Sequence, residues 1–530
     1  MNYRFLTAQL GRVVQLLGAV LTGIAVLFVV IPGQGMRFLD AGEQSLLATG
    51  IGTLLVGTLA WFWGRNACTT RSTGIDGEQL ERPYRMTRRD ATLLTALTWI
   101  GGGCIAAVPF LLWAHFADGV APDHPFRSAI DCFFESVSGL TTTGATVLTD
   151  IEALPRSLLF WRSIIQWLGG LGILVLFVAV LPGLGIGAKR LFQVEAPGPS
   201  PEGPRPSVRE AARRLWQIYM GLTVALFVLL MIGGMGWFDA ANHTFTTLAT
   251  GGFSTQNASI ARPDSVFIEI VLIVFMVLAA SNFGVLHALL KGRWRSALQD
   301  TEFKVYLWLL TIGSVVTAIT LVTIGDPIVL SDGQTVAATG GEAIRNATFT
   351  VVSQQTTTGY ATADWDLWPF AAKALIIMLM FVGGSAGSTG GGVKVVRIWV
   401  VGRIVMRELE RFFRPDVVRP LRLNGQTVDE RQQMMTLVFV LAMFGMLTLG
   451  TVVLMAIESV HTDISFGTAA SASLATVCTV GPGIDAVSAT KNYAWFSGAS
   501  KLFLCLLMLV GRLEVFVILV LFQPRFWRHQ

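Results

Sequence analysis

The hydrophobic positions of this chain fall into long runs that are separated by short polar segments. Each run has about 20 residues, the length that an α-helix needs to cross the hydrocarbon core of a bilayer. The pattern predicts an all-α polytopic membrane protein with about ten transmembrane helices. The runs lie near residues 13–31, 44–64, 91–114, 157–185, 215–237, 265–290, 304–325, 371–400, 433–457 and 498–522.

Four shorter apolar segments lie between the later runs, near residues 129–140, 242–249, 343–354 and 464–478. They are too short to cross a membrane, so we interpret them as re-entrant half-helices shielded by protein. Each of them follows one long run and precedes another. The pattern therefore predicts four pseudo-repeated units of helix, re-entrant pore helix, loop and helix around a central pore. Two N-terminal transmembrane helices precede the first unit.

A short motif rich in glycine and threonine ends or follows every predicted half-helix. It reads Leu-Thr-Thr-Thr-Gly-Ala-Thr at 140–146, Leu-Ala-Thr-Gly-Gly-Phe-Ser at 248–254, Gln-Thr-Thr-Thr-Gly-Tyr-Ala at 355–361 and Cys-Thr-Val-Gly-Pro-Gly at 478–483. Aligned on Gly144, Gly251, Gly359 and Gly481, the copies recur about every 110 residues, which indicates an internal repeat.

The motif carries the atoms that a bare cation needs. Glycine allows unusual backbone dihedral angles, and the neighbouring carbonyl and hydroxyl oxygens can face a common axis. For a single copy, a simple turn between helices would be the favoured interpretation, but four copies in equivalent positions favour an oxygen-lined selectivity filter. The expected cation ligands are the two positions before each glycine: Thr142, Thr143, Ala249, Thr250, Thr357, Thr358, Thr479 and Val480.

Composition and charge agree with this prediction. Of the 530 residues, 53% are hydrophobic and only 14% are charged, which is too apolar for a soluble multidomain protein. The net charge of +5 does not indicate a nucleic-acid partner, because the basic residues occupy short loops between apolar runs. The positive-inside rule makes these loops, and both termini, cytoplasmic. The five cysteines have neither paired nor metal-ligand spacing.

These patterns divide the chain into six segments. An N-terminal two-helix extension with its cytoplasmic loop spans 1–90, the first pore unit spans 91–190, and a Pro-rich cytoplasmic linker spans 191–214. The second pore unit spans 215–303, the third spans 304–432, and the fourth spans 433–530. The third unit includes a further cytoplasmic loop.

The second long helix of the third unit cannot be continuous. Six glycines occur among the ten residues 383–392, and glycine is unfavourable in a helix interior. We predict a break below the filter, in this unit out of the four, that lies at the pore as a gate loop. The alternative is a glycine patch that packs against a neighbouring helix. The predicted gate loop consists of Gly383, Gly384, Ser385, Ala386, Gly387, Ser388, Thr389, Gly390, Gly391 and Gly392.

Several stretches, together with the four motifs, resemble the superfamily of Trk, Ktr and HKT potassium transporters. They are Trp-Arg-Ser-Ile-Ile-Gln-Trp-Leu-Gly-Gly at 161–170, Ser-Asn-Phe-Gly at 281–284, the glycine-rich run continued to residue 394, and Gly-Arg-Leu-Glu at 511–514. They span most of the chain. The two additional N-terminal helices make it most similar to the TrkH branch.

The resemblance implies potassium uptake across the bacterial cytoplasmic (inner) membrane, with K⁺ as the transported ion and no covalent cofactor. It also implies a homodimer that is controlled by a cytosolic nucleotide-binding regulatory subunit of the TrkA type. Because only one glycine per motif is common to the four units, we expect selectivity for K⁺ and Rb⁺ over Na⁺ that is weaker than a channel's.

Two alternatives stay open. One is a Na⁺- or H⁺-coupled K⁺ symporter of the same fold, which normally needs a second ion site or a buried carboxylate at mid-membrane. The other is a membrane-embedded enzyme or respiratory subunit. That class needs paired histidine ligands, a nucleophile with a base or a carboxylate cluster, and the six histidines are not so arranged.

Arg512 is a cation within the last apolar run, and an intramembrane charge is a functional candidate. In the resembled family a matching arginine projects into the permeation path, where it would repel cations. The alternative is a structural ion pair, a role that fits Arg162 better. Glu514 lies on a different helix face from Arg512. Lys501 is expected to extend its amine to the membrane interface.

Asp131 and Glu135 begin the first half-helix, where carboxylates favour the positive end of the helix dipole. At the mouth of a pore they could also concentrate cations. His243 and His287 are expected to be packing or interfacial residues rather than ligands.

Overall fold

The computed structural model describes residues 1–30, 40–73, 79–84, 86–172, 208–260, 265–416 and 419–528. The proline-rich part of the predicted linker and the end of the predicted span 157–185 lie outside the described residues. The described part is mostly helical, which confirms the predicted all-α class.

The two N-terminal helices, α1 (Tyr3–Val30) and α2 (Ala41–Gly64), pack closely against each other. A Cβ atom added at Gly11 would lie 2.7 Å from the carbonyl oxygen of Gly57, and one at Gly18 would lie 2.9 Å from that of Gly50. Small residues at these positions are what allow the two backbones to approach. A short antiparallel hairpin, β1 (Thr69–Thr73) and β2 (Gln79–Pro83), follows α2.

The same succession of elements then occurs four times: an outer helix, a half-helix and an inner helix. The first unit contains α3 (Arg88–Phe116), α4 (Ala129–Leu140) and α5 (Arg156–Gly170). The second contains α6 (Val208–Ile232), α7 (Trp237–Leu248), α8 (Val266–Ala279) and α9 (Phe283–Leu290), and α10 (Trp294–Gln299) leads out of it.

The third and fourth units repeat this order. The third contains α11 (Thr301–Ile324), the hairpin β3 (Ile328–Val329) and β4 (Thr335–Val336), α12 (Gly340–Gln355), α13 (Phe370–Val382) and α14 (Val395–Phe413). A third hairpin, β5 (Arg422–Leu423) and β6 (Gln426–Thr427), precedes the fourth unit. The fourth contains α15 (Glu430–Glu458), α16 (Phe466–Val477), α17 (Gly498–Arg512) and α18 (Phe516–Leu519), followed by α19 (Pro524–Trp527).

Side-chain capping marks the start of three of the four half-helices, which are α4, α7, α12 and α16. Ser128, Thr339 and Ser465 precede three of them, and each side chain accepts a hydrogen bond from a backbone N–H in the first turn. The bounds of α4 coincide with the predicted segment 129–140. The half-helix α7 begins five residues earlier than the predicted 242, because its apolar first residues, Trp237 and Phe238, directly follow the apolar run near 215–237 and do not stand apart from it in the pattern.

Among the described residues, six helices are long and apolar enough to cross a membrane, or up to eight if each bent pair forms one span. The outer helices and the N-terminal pair supply the six. The predicted spans in the first and third units are not continuous in this part of the chain, because α5 ends at Gly170 and a loop separates α13 from α14.

The inner helices break in more than the third unit. A bend of 110° separates α8 from α9, and a bend of 114° separates α17 from the helical segment that begins at Phe516. The prediction that one unit out of four is interrupted is therefore wrong. In the second unit the Asn282 side chain accepts from the Gly284 N–H and starts a new helix, while in the fourth Glu514 and Val515 have φ of 55° and 56°.

Candidate functional site

The loops that follow the half-helices share one backbone conformation. The second residue after each helix end is a threonine with positive φ: 56° at Thr142, 52° at Thr250, 60° at Thr357 and 53° at Thr479. A β-branched residue seldom adopts this left-handed conformation, which persists only where the surrounding structure imposes it. Four equivalent occurrences mark these loops as the candidate site.

The second unit has a different register from the one that the motif predicts. The residue after each left-handed threonine donates its N–H to a carbonyl five residues earlier, and in the second unit this residue is Gly251. The four bonds are Thr143 to Ser138 (2.8 Å), Gly251 to Thr246 (2.9 Å), Thr358 to Ser353 (2.9 Å) and Val480 to Ala475 (2.8 Å). Gly251 is therefore equivalent to Thr143, and the motif alignment is wrong by one residue.

The glycine with positive φ comes next in each loop. Its φ is 83° at Gly144, 74° at Gly252, 82° at Gly359 and 95° at Gly481. Ala249 falls on the helix cap, one residue before the two positions expected to hold a cation. The sequence alone could not decide this register, because Gly251 and Gly252 are adjacent.

The four loops form a closed ring. A Cβ atom added to each glycine would collide with a carbonyl oxygen of the next loop, and the fourth loop meets the first. The distances are 2.2 Å from Gly144 to Gly251 O, 2.0 Å from Gly252 to Thr358 O, 2.1 Å from Gly359 to Val480 O, and 2.6 Å from Gly481 to Thr143 O. Only glycine allows this approach, which explains why the motif retains one glycine at this position in every unit.

Side chains outside the motif hold the ring from behind. Gln166 donates from Nε2 to the Gly251 carbonyl at 2.7 Å and accepts the Phe253 N–H at 3.2 Å. Tyr493 donates its hydroxyl to the Gly481 carbonyl at 2.8 Å. Sequence reasoning assigned neither residue a role, although Gln166 lies within the stretch 161–170 that carries part of the resemblance.

The ring offers oxygen atoms and a partly negative electrostatic environment, and both suit a cation. All four half-helices end at the ring, so their partly negative C-termini converge there. The hydroxyls of Thr142 and Thr479 are buried without a hydrogen-bond partner among the described residues. In the same part of the chain, no group of three or more His, Cys, Asp or Glu residues could hold a metal ion.

Glu135 is not a mouth residue. Its side chain is 0% exposed and pairs with Arg162, which is 1% exposed, at 2.7 Å. The same carboxylate accepts hydrogen bonds from the hydroxyl of Thr146 and the N–H of Val147. The expectation that Glu135 concentrates cations is therefore wrong, whereas the structural ion pair expected of Arg162 is present and anchors the first loop.

Lys501 also differs from its prediction. Its ammonium group lies 2.5 Å from the Asp131 carboxylate, and the residue is only 5% exposed, so it does not reach the interface. The first turn of α17 packs against the first turn of α4, and this contact brings the two charges together. His243 is a packing residue as expected, buried beside the ring of Tyr360.

The loop 383–392 lies directly against the ring, on the side where the inner helices break. Gly391 donates its N–H to the Thr357 hydroxyl at 2.6 Å, and Gly392 donates to the Cys478 carbonyl at 3.1 Å. The other side of the loop follows the break in the second unit. There Ser385 donates to the Ala280 carbonyl at 2.9 Å.

Arg512 is bound to this loop. Its guanidinium donates to the Thr389 carbonyl at 2.9 Å and to the carbonyls of Gly169 and Gly170 at the end of α5, at 2.5 and 2.7 Å. Glu514 faces elsewhere, as expected, and pairs with Arg397 at 2.9 Å. The first turn of α14 is thereby tied to the break in the fourth unit.

Comparisons with known proteins identify the family. A family model described as "TrkH: Cation transport protein" matches residues 121–529. The chain is 35% identical over 535 residues to "Trk system potassium uptake protein TrkH" of Escherichia coli (strain K12), covering 100% of both chains. It is 39% identical over 445 residues to the protein of that name from Halomonas elongata, covering 83% of this chain and 86% of the relative.

A solved structure agrees. The crystal structure of the potassium transporter TrkH from Vibrio parahaemolyticus matches with a TM-score of 0.80 and 31% identity, covering 100% of both chains. The predicted polytopic membrane fold is confirmed, and so is the prediction that the protein is not an enzyme. The chain belongs to the TrkH family of cation transport proteins.

Proposed function

We propose that the protein takes up K⁺ across the cytoplasmic membrane through the ring of four loops. The observation that carries this proposal is the closed contact of each loop glycine with a carbonyl of the next loop. Such a ring can replace the hydration shell of an ion with backbone oxygens. The relatives named as potassium uptake proteins support K⁺ as the ion.

The filter in this proposal follows the structural register. The threonine with positive φ and the residue after it supply the ligands in each unit, so that Gly251 replaces Ala249 in the predicted set and Gly252 is the ring glycine of the second unit. The proposed K⁺ ligands are Thr142, Thr143, Thr250, Gly251, Thr357, Thr358, Thr479 and Val480. Gly251 and Val480 contribute only backbone oxygen.

The loop 383–392 and Arg512 form the proposed gate. The loop donates one N–H to the hydroxyl of Thr357, a proposed K⁺ ligand, and another to the carbonyl of Cys478 next to the filter. Arg512 places a positive charge beside the loop. Closure at this position stops permeation without altering the filter above. The division of the chain into six segments, with four pore units, stays a prediction.

Transport by purified protein in liposomes tests the function. We expect Rb⁺ uptake driven by the membrane potential that persists when the Na⁺ and H⁺ gradients are removed separately. Uptake that needs one of these gradients would favour the coupled symporter. Absence of Rb⁺ uptake under every gradient, with folded protein verified by its melting transition, would refute the proposal.

The assembly that we propose is a homodimer with a cytosolic nucleotide-binding subunit of the TrkA type, with both termini cytoplasmic. An apolar stripe on α14 supports a second copy as partner. Phe412 is 92% exposed, and Met406, Leu409 and Phe413 are exposed beside it. Arg411 and Arg414 at the same end provide an exposed basic surface on the side that we propose to be cytoplasmic.

Mass measurement of the complex isolated with its native cytosol should show two copies of this chain and an added nucleotide-binding subunit. Phe412→Glu should shift the assembly toward one copy, because it places a charge in the apolar stripe. Arg414→Glu, a charge change outside the stripe, should leave two copies. A complex without any added subunit, under all nucleotide conditions, would contradict the regulatory part of the proposal.

A further inference from the structure

A carboxylate from another helix binds both the loop 383–392 and the start of α14. Glu302 lies in the first turn of α11 and is 7% exposed. One of its oxygens, Oε1, accepts the N–H of Ala386 at 2.6 Å and the N–H of Val396 at 3.3 Å. Ala386 belongs to the first half of the loop, whereas Val396 is the second residue of α14. A single oxygen therefore joins the loop to the helix that follows it.

The helix α14 has no side-chain cap from its own N-cap residue. Lys394 occupies the N-cap position with φ of 83° and makes no side-chain capping bond. The Lys394 amine instead donates to the carbonyl of Gly390 within the loop. Glu302 therefore supplies a hydrogen-bond acceptor at the helix N-terminus, where an acceptor is stabilising.

The first turn of α11 is in turn held by the hairpin β5–β6. Asn424 occupies the hairpin turn with φ of 51°, followed by Gly425 with φ of 80°. The Asn424 side chain donates from Nδ2 to the Asp300 carboxylate at 2.6 Å and accepts the Thr301 N–H through Oδ1 at 2.8 Å. Asp300 is the N-cap of α11.

Asn424 thus reaches the residues directly before Glu302. An Asn-Gly pair with two consecutive positive φ values forms a tight two-residue hairpin turn, which makes this contact rigid.

We propose that the Asn424 turn is a lever that controls the gate loop through Glu302. Displacement of the hairpin would move the first turn of α11, so that Glu302 releases Ala386 and Val396 and the loop loses its anchorage below the filter. This inference rests on the gate role proposed for the loop. The hairpin is exposed on the side where a cytosolic subunit would bind, so a partner could reach the gate without entering the pore.

Hydrogen exchange of the full-length protein tests the lever independently of transport. Asn424→Ala removes both side-chain bonds, and peptides that cover 383–396 should exchange about fivefold faster, the effect expected from losing roughly one net hydrogen bond. Basal Rb⁺ uptake should rise by a similar factor. Gln426→Ala, an exposed change on the same hairpin, is the matched control and should leave both unchanged.

Glu302→Ala should increase exchange more than Asn424→Ala, and the double variant should not exceed Glu302→Ala, because the two residues act in series. If Glu302→Ala does not fold, Glu302→Gln keeps an acceptor oxygen and should give a smaller increase. Unchanged exchange in folded Asn424→Ala would overturn the proposed role of the Asn424 turn. Unchanged exchange in both Glu302 variants would overturn the proposal that Glu302 anchors the loop. Absence of Rb⁺ uptake in the unmodified protein would instead refute the proposed function, while exchange still decides the lever.

Discussion

Substitution of Gly144 by serine should remove most of the discrimination between K⁺ and Na⁺. Gly144 has φ of 83°, and a Cβ atom there would lie 2.2 Å from the carbonyl oxygen of Gly251. The side chain is strained by this backbone conformation and pushes the neighbouring loop away. A ring with altered spacing no longer matches the K⁺ hydration shell that it replaces. We expect the Rb⁺ to Na⁺ uptake ratio in liposomes to fall roughly tenfold, equivalent to about 1.4 kcal/mol.

Gly119 offers a control that separates backbone strain from crowding. Its φ is 81°, nearly that of Gly144, but nothing lies within 4 Å of an added Cβ atom. Gly119→Ser should therefore introduce a similar backbone strain and lower stability, but it should leave the Rb⁺ to Na⁺ uptake ratio unchanged. If folded Gly144→Ser keeps the original ratio, the four loops do not form the filter.

Deletion of residues 387–391 should raise K⁺ flux while selectivity is nearly retained. The deleted segment includes the Gly391 N–H that binds the Thr357 hydroxyl and the Thr389 carbonyl that binds Arg512. Arg512→Ala should act in the same direction, because it removes this contact and a positive charge from a region of low dielectric constant. We expect a rise of about tenfold, since a hydrogen bond to a charged group contributes about 1.5–3 kcal/mol.

The double variant decides whether loop and arginine form one barrier. Because Arg512 donates directly to the loop, the two changes should be less than additive in the logarithm of the Rb⁺ flux. Arg411→Ala removes an exposed cation at the far end of α14 and should have little effect. Unchanged or reduced uptake by the folded deletion variant would mean that the glycines serve packing and that the gate lies elsewhere.

Local sequence signals were sufficient to predict the existence of the half-helices and of the glycine-rich loop. The bounds of α4 could be predicted because a short apolar segment and a Thr-Gly motif occur in succession at 129–144. The break at 383–392 followed from glycine content alone. The break at 513–515 has no such signal, because its Leu-Glu-Val sequence contains neither glycine nor proline, although Glu514 and Val515 adopt positive φ.

The locations and roles of charged residues were predicted less well, because the environment of a charge depends on partners that are distant in the sequence. Glu135 and Asp131 were expected to act at a mouth, and Lys501 at an interface. In the fold, Arg162 pairs with Glu135 and Lys501 pairs with Asp131, so both carboxylates are neutralised within the protein. Helix periodicity shows which face a charge occupies, but not which element covers that face.

The amino-acid sequence by itself determined the membrane class, the four half-helices and the glycine-rich break in the third unit, because hydrophobic length and backbone propensity are local properties. Only the tertiary structure decided that Gly252, rather than Gly251, completes the ring. The two glycines are chemically identical, but only Gly252 has positive φ, and it approaches the Thr358 carbonyl whereas Gly251 approaches the Gln166 side chain. It likewise decided that Glu302 and Asn424 connect a surface hairpin to the loop 383–392. Hydrogen bonds between such distant segments exist only once the four units have packed around one axis.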